Sequence, residues 1–241
     1  LTLFAGLSTG IGSAMAFFTN KTNTKFLSVS LGFSAGVMIY VSMVEIFAKA
    51  RLALTAELGL VTGSWVTVAS FFGGILFIAL IDKLIPSNDN PHELRRVEDM
   101  DNDGTPQETP SKKPSAKLLR TGTFTALAIA IHNFPEGIAT FVSALHSPTI
   151  AISIAVAIAI HNIPEGIAVS VPIYYASGSK RKAFIYSFIS GLAEPLGALI
   201  AYLILMPFLN GVAFGVIFGF VAGIMVFISL DEVLPSASEF G

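Results

Sequence analysis

One polar phrase occurs twice inside hydrophobic runs: Ala-Ile-Ala-Ile-His-Asn-Phe-Pro-Glu-Gly-Ile-Ala from Ala128, and Ala-Ile-Ala-Ile-His-Asn-Ile-Pro-Glu-Gly-Ile-Ala from Ala157. On a helix, residues three and four apart share a face, so His132, Asn133 and Glu136 project together, and His161, Asn162 and Glu165 repeat the set. Both copies lie in stretches apolar enough to be buried in a bilayer. Ionisable groups at that depth are costly and are kept where they face a bundle interior or a water-filled path. Two facing sets of this kind form a cradle for a divalent cation.

Composition fixes the class around this feature. The 241 residues are 53% hydrophobic and only 12% charged, with a mean hydropathy of +0.74, outside the range of an ordinary soluble domain. The expected fold class is an all-α polytopic membrane protein, a single transmembrane domain over residues 1–241 whose partner is the lipid bilayer. The net charge of −2 gives no basis for a nucleic-acid partner. The absence of cysteine leaves nitrogen, oxygen and thioether as the available metal ligands. Leu1 to Phe18 lacks a basic leader and reads as the first span itself.

At about 20 residues per span, hydropathy places helices at roughly 1–19, 26–48, 65–85, 121–145, 149–172, 183–205 and 211–232. The connector 86–120 is rich in Pro, Asp, Glu, Ser and Lys and reads as a flexible loop. Its Asp99-Met-Asp-Asn-Asp-Gly104 resembles half a calcium loop, but Pro110 stands where the closing Glu belongs, so it reads as a solvated acidic segment. His92 and His146 read as isolated connector residues.

Lys and Arg set the orientation. Lys21, Lys25, Lys83, Arg95, Arg96, Lys112, Lys113, Lys117, Arg120, Lys180, Arg181 and Lys182 follow odd-numbered spans, whereas only Lys49 and Arg51 follow even-numbered ones. The positive-inside rule then puts the amino terminus outside. Spans four and five are consecutive, hence antiparallel, yet carry the same motif in the same chain direction. Their copies are related by a pseudo-two-fold axis near the membrane plane, as in inverted-repeat transporters. Pro135 and Pro164 are expected to interrupt their helices and free the carbonyls of Ile131 and Ile160. Glu194, before Pro195, offers a further carboxylate from the sixth span. Glu45 near the outer end of span two, and Asp231 with Glu232 near the inner end of span seven, mark candidate ends of a path.

Imidazole, amide and carboxylate suit Zn(II), Fe(II), Mn(II) or Co(II). A two-metal centre also admits hydrolysis, but no His-Glu-x-x-His helix or Gly-x-Ser-x-Gly elbow accompanies the ligands. A cation carried through the membrane fits better than a resident cofactor.

His132-Asn-Phe-Pro-Glu-Gly137, His161-Asn-Ile-Pro-Glu-Gly166 and Ala193-Glu-Pro-Leu-Gly197 resemble the fourth, fifth and sixth helices of the Zrt/Irt-like (ZIP) metal transporters, in particular their bacterial ZupT-type branch. The resemblance covers the whole chain. It implies an eight-helix fold with both termini outside, of which seven spans are present here and the eighth is missing. It also implies a location in the cell (inner) membrane, uptake of zinc and of iron, manganese, cobalt or cadmium into the cytoplasm, a homodimer, and an elevator-like movement of spans one, four, five and six. One metal position would be served by His132, Glu136, His161 and Glu165, and an adjoining one by Asn133, Glu136, Asn162, Glu165 and Glu194. No cofactor is implied; Zn(II) or Fe(II) would be bound as cargo.

Overall fold

The computed structural model of the chain describes residues 1–16, 24–84 and 116–240. The acidic half-motif Asp99–Gly104, His92 and the basic residues Lys21, Arg95, Arg96, Lys112 and Lys113 lie outside them. Every regular element among the described residues is helical: α1 Thr2–Ala16, α2 Thr24–Tyr40, α3 Ala48–Leu58, α4 Leu60–Leu84, α5 Ala116–His146, α6 Pro148–Ser177, α7 Lys180–Gly191, α8 Ala193–Ile200, α9 Gly211–Ile228 and α10 Leu234–Phe240. Among the described residues, five helical stretches are long and apolar enough to cross a membrane: Ser28–Leu58, Leu60–Lys83, Pro148–Val171, Lys180–Phe208 and Gly211–Asp231. The 31-residue α5 has the length as well, but His132, Asn133, Pro135 and Glu136 dilute its hydropathy.

The largest boundary difference from expectation has a physical reason. The second span continues through a π-helical turn, Val41–Phe47, into α3, so that only Gly59 separates it from α4. Lys49, Arg51 and Glu57 lower the hydropathy there, but Ala-Lys-Ala-Arg-Leu-Ala-Leu-Thr-Ala-Glu-Leu consists of strong helix formers. Gly59 turns the chain with φ 80°, a backbone state that side chains rarely adopt. Smaller shifts occur elsewhere: α5 begins at Ala116, five residues ahead of the expected start, and α6 ends at Ser177, five beyond the expected end.

The expected interruption at the motif prolines is corrected. α5 and α6 run through Pro135 and Pro164 as continuous helices. The break falls instead at Leu192, between α7 and α8, where one N–H reaches the carbonyls of both Phe188 and Ile189 at 3.1 Å. Pro195 lies in the first turn of α8, where its missing N–H costs little.

The helices fall into two groups. In the first, α5 and α6 pack side by side, α1 lies along α6 and α7, and α8 lies along α5. In the second, α9 packs on α3 and α4, and α10 on α2. Between them lies an apolar core that includes Ile46 and Ala50, Ala139 and Val142, Ile154 and Ile158, and Phe214 and Phe218.

Glycines allow these helices to approach backbone to backbone. A Cβ on Gly137 would strike the Glu194 carbonyl of α8, and one on Gly166 would strike the Thr9 carbonyl of α1. Reciprocally, Gly197 faces the Phe134 carbonyl, Gly12 faces the Ile163 carbonyl, and Gly6 and Gly191 face each other's carbonyls. α1 therefore stands to the second motif as α8 stands to the first, and the pseudo-axis passes between Gly6 and Gly191. The segments themselves match: Gly6-Leu-Ser-Thr-Gly-Ile-Gly12 against Gly191-Leu-Ala-Glu-Pro-Leu-Gly197.

Candidate metal centre

The two motifs meet where α5 and α6 cross. His132 Nε2 lies 3.0 Å from Glu165 Oε1 across the helix pair and 3.4 Å from Glu136 Oε1 on its own helix. His161 Nε2 lies 3.3 Å from Glu136 Oε2 across the pair and 3.9 Å from Glu165 Oε1 on its own helix. The imidazoles stack with centroids 5.6 Å apart and 26° between their planes. His132, Glu136 and His161 are buried, whereas the Glu165 side chain keeps 12% of its surface open.

A ring of nitrogen and oxygen around so small a space has the donor chemistry to hold a cation. Neither oxygen of Glu136 accepts a hydrogen bond, and His161 Nε2 has no hydrogen-bond partner, although they stand 3.3 Å apart. Buried groups left in that state are costly unless something between them completes their coordination. Ligand atoms of His132, His161 and Glu165 all lie within 4.8 Å of one another, which suits one ion.

The remaining predicted residues surround this square. Asn162 donates through Nδ2 to the Ala5 carbonyl of α1 at 3.0 Å and also contacts Glu194 Oε1. With its oxygen turned away from neighbouring acceptors, Asn133 donates to Glu165 Oε2 at 3.2 Å and the Ile129 carbonyl at 3.3 Å. In the opposite orientation its Nδ2 meets the Ser190 carbonyl at 3.3 Å. Ser190 occupies in the second segment the place Ala5 holds in the first. Glu194 is fully buried, and its Oε2 accepts no hydrogen bond. All seven predicted residues, His132, Asn133, Glu136, His161, Asn162, Glu165 and Glu194, thus belong to one connected cluster.

Sequence reasoning missed the part played by α1. Thr9, the counterpart of Glu194, is fully buried, and its carbonyl accepts from the Ser187 hydroxyl at 3.4 Å. The shared Gly-Leu spacing of the two segments is the signal that would have found it.

The candidate path ends stand apart from this cluster. Glu45 lies in the Val41–Phe47 turn, 2.6 Å from Lys49 Nζ, and lines a cavity between α2 and α6. Asp231 is exposed in a second π-helical turn, Ser229–Val233.

Comparison with known proteins gives the family. The family described as "ZIP Zinc transporter" matches residues 61–240, which include both motifs and the α7–α8 break. The chain belongs to that family. It is 66% identical to a protein named zinc transporter ZupT from Lysinibacillus sphaericus, with 100% of this chain and 87% of the relative covered. Proteins of the same name from Oceanobacillus iheyensis and Streptococcus mutans are 65% and 64% identical over the same shares. This ZIP chain is accordingly a transporter of the ZupT type rather than an enzyme.

Proposed function

We propose that this protein carries zinc into the cell through the centre between α5 and α6. The observation that carries the proposal is the cross-paired square, with each histidine within 4 Å of both motif glutamates. His132, Glu136, His161 and Glu165 form the first position for the cation; Asn133, Asn162 and Glu194, with the two glutamates shared, form an adjoining one. Mixed imidazole, amide and carboxylate coordination also suits iron, manganese, cobalt and cadmium, whose affinities for one site follow the Irving–Williams order. The relatives' printed names and the donor set both support zinc as cargo.

The amino terminus lies outside, as the distribution of Lys and Arg indicates. Movement comes from α1, α5, α6, α7 and α8 sliding as an elevator against α2, α3, α4 and α9. The two packing groups support this reading, because the cation's ligands all lie within the first. The protein resides in the cell (inner) membrane as a homodimer, as the resemblance implies. The exposed apolar face of α4, with Val61, Trp65, Phe72 and Leu76, is available to lipid and to the second copy.

The test is radiolabelled zinc uptake into proteoliposomes, wild type beside Glu136→Ala. Saturable uptake by the wild type that the variant lacks is the expected result. Equal uptake by a normally folded Glu136→Ala protein would refute the assigned centre.

A further inference from the structure

The first motif continues along α5 in a way the second does not. Beyond Glu136, the same helix face carries Thr140 and Ser143 at steps of four and three residues, and Ser147 follows four residues on, at the turn. The second motif's equivalents of Thr140 and Ser143 are Val169 and Pro172. The polar stripe is therefore a property of one copy alone, and the symmetric fold does not require it.

Two of its hydroxyls, like those of Thr9 and Ser13 on α1, are buried without a hydrogen-bond partner. Thr140 and Ser143 are 1% and 2% exposed, and neither Oγ has a hydrogen-bond partner. Buried Ser and Thr on a membrane helix ordinarily bond back to the carbonyl four residues earlier. Ser42 does so with Met38 at 2.6 Å, Thr67 with Gly63 at 2.7 Å, and Ser229 with Met225 at 2.7 Å. Thr140 and Ser143 instead leave their oxygens free for something else.

Ser143 and Ser147 also line a cavity of about 190 Å³ with Lys49, Leu52, Ala53, Ile150, Phe214 and Phe218. It lies at the turn between α5 and α6, on the side that the charge distribution places outside. The ammonium of Lys49 is held by Glu45 at 2.6 Å, which offsets the positive charge at this mouth. From Ser143 back to Glu136 is about 10 Å along the helix, at 1.5 Å per residue. The hydroxyls are thus spaced between the cavity and the centre, through the apolar core containing Ala139 and Val142.

Resting on the transport reading above, we propose that Thr140 and Ser143 form a relay site for a partly hydrated divalent cation between the outer cavity and the His–Glu square. Neutral hydroxyl oxygens replace part of the water shell without holding the ion as tightly as carboxylates. The ion therefore passes on to Glu136, one turn from Thr140.

The experiment measures zinc uptake at low zinc by full-chain proteoliposomes of the wild type, Glu136→Ala, Thr140→Val/Ser143→Ala and Thr140→Ser. Zinc binding to the same proteins in detergent is titrated in parallel. The double variant should lose about tenfold in uptake through a raised KM, keep its zinc affinity in detergent, and regain uptake where Ser replaces Thr140 alone. Uptake by the double variant equal to wild type, with Glu136→Ala inactive, overturns the relay and leaves the centre standing. Equal loss of uptake and binding also overturns it, because the hydroxyls would then be supporting the square. Failure of the wild type itself to transport would instead overturn the transport reading beneath it.

Discussion

The two copies of the motif have the same residues in the same order but different surroundings, and the differences assign them unequal work. Glu136 is fully buried and points one oxygen at each imidazole, whereas Glu165 offers the same oxygen, Oε1, to both and retains contact with solvent. Gly137 brings the first motif against the Glu194 backbone of α8, and Gly166 brings the second against the Thr9 backbone of α1, while the buried Glu194 carboxylate accepts from Asn162 of the second motif and Thr9 offers no counterpart to it. Beyond Glu136, toward the Ser147 turn, the first motif continues in the hydroxyls of Thr140 and Ser143; beyond Glu165, toward Gly178 at the opposite end of the pair, the second continues in Val169 and Pro172. A pseudo-two-fold axis gives the centre its facing pairs, and these are departures from it.

The comparison is tested most severely at the glutamates. Shortening Glu136 to Asp withdraws an oxygen from each histidine, and zinc uptake efficiency should fall about 100-fold, about 2.8 kcal/mol at 1.4 kcal/mol per decade. Shortening Glu165 to Asp removes one shared oxygen whose loss water can partly offset, so about tenfold is expected from the same uptake assay. Equal losses would remove the inequality drawn here. The next effect concerns the helix contacts. Gly137→Ala and Gly166→Ala each push a Cβ into a facing carbonyl and should destabilise the detergent-solubilised protein by about 1–3 kcal/mol, read as a lowered midpoint in thermal unfolding. Because the contacts are symmetric, the two losses should match; a clear difference would break the twofold. Smallest is the amide pair. Asn162→Ala frees both the Ala5 carbonyl and Glu194, whereas Asn133→Ala leaves Glu194 untouched, so zinc affinity should fall further in the former, by about 1 kcal/mol. Calorimetric titration of both variants would expose the reverse order.

Much of this was legible in the chain. Ionisable residues are so expensive at membrane depth that His132, His161 and their partners could be assigned to one interior centre before any coordinates. The span positions followed from hydropathy wherever the helix was uniformly apolar. Hydropathy failed at Lys49 to Glu57 because helical propensity and membrane burial are different properties, and that segment has the first without the second. Pro135 and Pro164 misled in the other direction: neighbouring helices can support a proline in a bundle, and the break went to Leu192. The likeness of Gly6–Gly12 to Gly191–Gly197 was present but obscured, since three identical residues in seven gain meaning only when Gly6 and Gly191 are seen touching.

The single residue Ser147 between α5 and α6 has a kinetic consequence. In the proposed elevator movement, two long helices joined so tightly and packed along their length would travel together, which would preserve the distances from His132 to Glu165 and from His161 to Glu136. The ion would then not be freed by prying its ligands apart. Discharge would be a ligand-exchange reaction, in which water replaces one donor at a time, and Glu165, whose side chain keeps 12% of its surface open, would be the first carboxylate of the proposed centre to exchange.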